Sequence, residues 1–236
     1  MIARAAPRAA LLAALLAAPA ALSAQAYQCS VPRALVDVPR VEVGPERRIP
    51  VTGYTLSTSW SPEYCRTRGR SKADARQCSG KSGRFGMILH GLWPEGRQAS
   101  PQWCRGGRAI RPDDLPANLC ITPSARLLAH EWARHGSCMV SRPASYFKVG
   151  RILWNSLRWP DLDRLSRRNP TAGDLRAAFV EANPAWKTDQ VGVEVNERGW
   201  LEGLRLCYGK DFMPRTCRKS RLGPADHVPV RIWRGL

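Results

Sequence analysis

Ala129–Cys138 reads AHEWARHGSC. It ends a longer run, SARLLAHEWARH, made of good helix formers, opened by Pro123-Ser124 and stopped by Gly136. On such a helix Glu131 and His135 lie four apart on one face, as do His130 and Arg134. His130 and His135 are five apart, so they diverge by about 140° at roughly 100° per residue. A zinc-binding HExxH helix needs both histidines four apart on one face. The string here is HExxxH, and that spacing excludes the zinc-protease reading.

A second dense stretch lies upstream. Residues 88–95 read ILHGLWPE and hold a third of the four histidines, His90. Phe85–His90 is a short apolar run bounded by glycines, which predicts a buried strand with His90 at its end. Gly53–Trp60, GYTLSTSW, alternates apolar and polar and predicts another strand. Between them, residues 61–83 are polar, basic and aperiodic, a loop by pattern. Residues 27–50 are irregular and broken by prolines, and Pro94–Pro123 is a long excursion rich in Pro and Gly.

Downstream, Ser145–Leu157 predicts an amphipathic helix. Thr171–Ala182 predicts another, with Thr171 and Asp174 at N-cap spacing and Pro184 closing it. Gln190–Val195 and Trp200–Cys207 flank Asn196-Glu197-Arg198-Gly199 as a hairpin. His227–Trp233 predicts an edge strand interrupted by Pro229. The fold class is therefore α+β: a mainly antiparallel sheet with helices packed on it.

The N-terminus has the form of a secretory leader. Arg4 and Arg8 precede the apolar Leu11–Leu22, and Ala24-Gln25-Ala26 is an A-x-A cleavage site. The mature chain is expected to start at Tyr27 and to form one domain over 27–236, in the periplasm or outside the cell. The leader run is too short to span a bilayer, and no other stretch is apolar enough. Formal net charge is +18, about +16 without the two leader arginines. This favours polyanions such as nucleic acid, although 31 of the 37 basic residues are Arg, a bias that composition alone can produce. The eight cysteines, Cys29, Cys65, Cys78, Cys104, Cys120, Cys138, Cys207 and Cys217, predict disulfides in roughly a hundred possible pairings. No CxxC pair points to a structural zinc site.

Three histidines in two compact stretches, with a carboxylate and a guanidinium beside them, suit two proton transfers around a phosphate. Metal-free RNA cleavage needs that set: a base for the ribose 2′-OH, an acid for the 5′ leaving oxygen, and cations for the charged phosphorus. ILHGLWPEG and HEWARHGSC resemble, in order and separation, the two active-site segments of the RNase T2 family of secreted ribonucleases. SWSPEYC (Ser59–Cys65) resembles that family's early strand and cysteine. The likeness runs from about Gly53 to Cys217.

The resemblance implies an RNase T2-like fold and an endoribonuclease that forms 2′,3′-cyclic phosphate ends without metal or cofactor. It assigns His135 as general base and His90 as general acid. Glu131 and Arg134 would stabilise the five-coordinate phosphate, and His130 would bind phosphate. Trp93 would pack by the catalytic histidine and the base, and Glu95 would help read that base. Trp132 is expected in the core and His227 in solvent. The family usually carries Lys where this chain has Arg134; Arg keeps the charge and forks onto phosphate oxygens but is not a compact ammonium. The resemblance also implies the pairs Cys104–Cys138, Cys78–Cys120 and Cys207–Cys217, leaving Cys29 with Cys65. The expected partner is RNA, with DNA bound but uncut, and the protein is expected to be a monomer. The rival readings are a catalytically inactive, basic RNA- or polyanion-binding protein on the same scaffold, and a metal-dependent nuclease, for which the motifs lack an acidic cluster.

Overall fold

The computed structural model describes residues 27–34, 36–69 and 71–235. The expected leader at 1–26 lies outside them. In chain order the elements are β1 (Gly53–Trp60), α1 (Ser61–Arg68), α2 (Ala75–Cys78), β2 (Met87–Glu95), α3 (Ala125–Arg134), α4 (Pro143–Asn155), α5 (Leu162–Ser166), α6 (Ala172–Ala182), β3 (Val191–Val195), β4 (Leu201–Tyr208) and α7 (Lys219–Leu222). The strands form one antiparallel sheet in the order β2-β1-β4-β3. The architecture is α+β, as expected.

Strand periodicity sorts this sheet into two faces. Leu92, Leu56, Leu206 and Val191 stand opposite one another in a single row across all four strands. All four are at most 1% exposed. They pack into a core with Trp154, Leu175 and Phe179 from α4 and α6, each side chain contributing about 1.5–3 kcal/mol by burial. The neighbouring row, Gly91, Ser57, Arg205 and Gly192, points to the other face. One face is thus core, and the other is left for chemistry.

The register slips once between β1 and β2: Ser57 pairs with Gly91 but Thr58 with Leu89, so His90 is an extra residue. Such a bulge changes the parity of the strand beyond it. His90 then shares the face of Gly91, Trp93 and Glu95, which strict alternation would deny it. β2 runs on through this bulge to Glu95, so His90 lies mid-strand and not at the end. Pro94 is tolerated because β2 is an edge strand.

Two further expectations are corrected, and one helix was not foreseen. Residues 61–83 are not a loop but carry α1 and α2, because Pro62 at the first turn of α1 starts a helix without needing its missing N–H. α5 was not predicted from pattern; Asp161 caps it by accepting from the Arg164 N–H. Residues 227–233 make only isolated bridges, Pro229 with Thr171 and Arg231 with Trp200, since Pro229 has no N–H to extend a ladder. In contrast, the α6 capping box of Thr171 and Asp174 and the β3–β4 hairpin are present as read.

Two disulfides are as implied, Cys104–Cys138 and Cys207–Cys217; the other four cysteines pair as Cys65–Cys78 and Cys29–Cys120. Cys78–Cys120 and Cys29–Cys65 are therefore wrong. The unpredicted helices are the reason: α1 and α2 fold against each other and bring Cys65 and Cys78 to 5.3 Å between Cα atoms. That leaves Cys29, on the N-terminal strap bridged to Arg84 through Tyr27, to meet Cys120.

Candidate active site

α3 is entered through Ser124, whose side chain accepts from the Leu127 N–H. Leu128 and Trp132 turn to the core, with Trp132 Nε1 donating to Arg108 O. Around the rest of the helix, His130, Glu131, Arg134 and the C-cap residue His135 border the same cleft as His90, Trp93 and Glu95 of β2. The end of the helix is held in place: Trp103 N–H donates to Arg134 O at 2.8 Å, and Cys138 is bonded to Cys104. Gly91 makes the approach possible, since a Cβ there would overlap Glu131 Oε2.

Glu131 is the hub. It is 2% exposed. Its Oε2 accepts from Trp93 Nε1 at 2.7 Å, and Oε1 lies 3.4 Å from His90 Nε2. The other nitrogen of His90, Nδ1, is 2.9 Å from Ser59 Oγ. Trp93 stacks against the His135 ring at 5.3 Å between centroids and meets His90 edge-on at 5.6 Å. One indole therefore spaces the two histidines, and one carboxylate sits behind them.

The same burial acts on both rings with opposite outcomes. Burial opposes a proton on His90, but the Glu131 carboxylate against its ring more than offsets this and holds it above its ordinary 6.5. Burial pushes His135 down to about 4; Glu131 opposes that shift and Arg134 reinforces it. His135 Nδ1 is buried with no hydrogen-bond partner among the described residues, so nothing there steadies an imidazolium. Glu131 itself is raised by burial, yet His90 brings its net position below the ordinary carboxylate value. The two rings are therefore shifted to opposite sides of the ordinary value, His90 toward its protonated form and His135 toward its neutral form. The 3.4 Å contact is longer than a normal charged hydrogen bond.

A cleft of about 520 Å³ opens over this group. His90, Trp93, Glu95, His130, Glu131, Arg134 and His135 all border it, so the seven residues expected to act in the site come together here. His130 leans edge-on against Trp103, and burial holds it below its ordinary value. Arg134 has no carboxylate within ion-pair distance among the described residues. Glu95 is engaged by protein: Oε1 accepts from Thr55 Oγ1 at 2.9 Å and Arg221 Nε at 3.0 Å, and Oε2 from Ser100 Oγ at 3.1 Å. Trp132 is buried and His227 is exposed, as expected. Among the described residues no group of three or more His, Cys, Asp or Glu is arranged to hold a metal ion.

Sequence reasoning missed the rest of the cleft. Behind the cleft, Ser59 of β1 is a further unpredicted partner, through its Oγ at 2.9 Å from His90 Nδ1; its place on the polar face of β1 was the available signal. Arg47, Gln98, Ser100, Gln102, Arg218, Ser220 and Arg221 form the far side. They come from aperiodic, basic segments, loops and the one-turn helix α7, in a chain full of arginine, and nothing local marks them.

Residues 52–169 match the sequence profile of the Ribonuclease T2 family. A Haemophilus influenzae protein named "Probable ribonuclease" is 31% identical over 190 residues, 75% of this chain and 65% of that one. An Aeromonas hydrophila "Ribonuclease" is 38% identical over 85 residues, 36% of each chain. The chain thus spans less than two thirds of the length of these relatives. Among solved structures, an RNase-related protein from Calystegia sepium superposes with a TM-score of 0.60 at 18% identity, covering 77% of this chain and 97% of that one. At that identity the likeness is one of fold.

Proposed function

Because the chain belongs to the ribonuclease T2 family, we propose that it is an exported endoribonuclease that cleaves single-stranded RNA by metal-independent transphosphorylation. The observation that carries this reading is the split of His90 and His135 to opposite sides of their ordinary value within one cleft. His135, neutral, takes the proton of the ribose 2′-OH. The oxygen attacks the adjacent phosphorus, and the bond to the 5′ oxygen breaks as His90 protonates it. Arg134 and His130 face the non-bridging oxygens, and Glu131 keeps His90 charged and correctly turned. The products are a 2′,3′-cyclic phosphate and a free 5′-OH. Water can then open the ring to a 3′-phosphate with the two histidines exchanging roles. DNA, lacking the 2′-OH, is bound but not cut.

Four disulfides support folding in an oxidising compartment, the periplasm or the exterior, after cleavage of the leader behind Ala26. No helix among the described residues is long and apolar enough to cross a membrane. Product-end analysis on defined dinucleotides in excess EDTA tests the mechanism. Cyclic phosphate and 5′-OH ends are expected. Ends bearing 5′-phosphate, loss of cutting on chelation, or comparable cutting of DNA would each overturn it, and binding without cleavage would favour a non-catalytic RNA-binding protein.

A further inference from the structure

The far side of the cleft carries charge that the cleavage chemistry does not use. Arg47 and Arg218 both border the cleft, and neither has a carboxylate within ion-pair distance among the described residues. They grip the same tight turn, closed by the Gly96 N–H to Ala99 O bond of 3.0 Å, from its two ends. Arg47 Nε donates to Ser100 O at 2.7 Å, and an Arg218 terminal nitrogen donates to Gly96 O.

Each backbone is also fixed. Arg47 and Gln102 exchange two backbone hydrogen bonds of 2.9 and 3.0 Å, and Arg218 directly follows Cys217, bonded to Cys207 on β4. The remaining guanidinium N–H groups of both arginines have no protein partner among the described residues. Two forks, each anchored on a carbonyl by one edge and left with open donors on the other, are pre-organised for a tetrahedral oxyanion. Glu95, the carboxylate that would repel one, is neutralised by Arg221 at 2.9 Å.

We propose that Arg47 and Arg218 form a second phosphate site, separate from the scissile one, that takes the phosphate of a flanking nucleotide and so makes the protein prefer oligonucleotides to dinucleotides. This rests on the RNA-cleaving reading above. The test compares kcat/KM for a dinucleoside monophosphate with the same molecule bearing one more phosphate at its 5′ or its 3′ end, at low fixed salt. For the unaltered protein one of the two ends should raise kcat/KM by about tenfold, the worth of a partly screened charged contact.

Arg47→Gln and Arg218→Gln keep a donor for the carbonyl but remove the charge, and each should cut that advantage about threefold or more. Arg198→Ala, an exposed charge on the β3–β4 turn outside the cleft, should leave the advantage intact. An advantage preserved in both glutamine variants, or lowered equally by Arg198→Ala, overturns the site, as does no advantage at either end. If no substrate is cut, the catalytic reading fails instead; the same ratios, read as Kd for the 2′-deoxy dinucleotide with and without the phosphate, then decide the site by themselves.

Discussion

The two walls of the cleft are built by different means. The β2–α3 wall comes from two short contiguous stretches, is largely buried, and holds its charges in contact: Glu131 with His90 and Trp93, and His135 against Trp93. The opposite wall is assembled from residues around 47, 98–102 and 218–221, is more open to solvent, and presents three guanidinium groups, of Arg47, Arg218 and Arg221, among amides and hydroxyls. Charges in the buried wall act strongly on one another because little water screens them; those on the open wall act mainly on what arrives. In the proposed reading the first wall moves protons and the second holds phosphates. Changes to the first should therefore appear in the rate and its pH dependence, and changes to the second in affinity and its salt dependence.

The most severe test falls on the histidines. His90→Ala and His135→Ala should each reduce kcat/KM on RNA by about a hundredfold to ten-thousandfold, the usual worth of a general acid or base. The double variant should lose far less than the product of the two losses, since they act as a unit. Multiplicative losses would mean the rings do not work on one step.

Next comes Glu131→Gln, expected to lower kcat by about tenfold to a hundredfold, the scale of a charged hydrogen bond. Its pH profile is more informative than its rate. The unaltered protein should show a bell. Activity falls below about pH 4, as His135 gains a proton and ceases to be a base, and falls again above 6.5, where His90 loses the proton it must donate. Removing the carboxylate leaves burial to dominate at His90, so the alkaline limb should move to lower pH. If it stays in place, Glu131 does not set the charge on His90.

On the open wall, Cys207→Ser with Cys217→Ser should cost about 2–3 kcal/mol of stability, as for a short loop closed by one bridge. It should weaken RNA binding several-fold while leaving the pH limits of the rate unchanged. A shift in those limits would show that the walls are not independent. The smallest effect is expected from Ser59→Ala, about twofold to tenfold in kcat with little change in KM, the worth of one neutral hydrogen bond. Its alkaline limb should move down slightly, because Ser59 Oγ accepts from the charged ring at Nδ1. Ser59→Thr, which keeps the hydroxyl, should restore it.

Much of this protein could be read along the chain. The start of α3 at Ser124, the capping box of α6, the alternation of β1 and the β3–β4 hairpin are local matters, set by which residues stand three, four or two apart. The identity of the residues on the motif wall was legible for the same reason: His90 to Glu95 and His130 to His135 are contiguous. Tertiary structure alone decided the rest. The bulge at His90 depends on how β2 meets β1, and without it His90 would face away from Trp93. The sign of each histidine shift depends on which neighbours replace water around it, so sequence could name Glu131 and Arg134 as opposing influences but not say which prevails. Cys65 met Cys78 because two aperiodic segments folded into helices against each other, and Arg47 and Arg218, more than half the chain apart, came to border one cleft and bond to one turn. Desolvation and long-range pairing are properties of three-dimensional neighbours, which a linear pattern does not record.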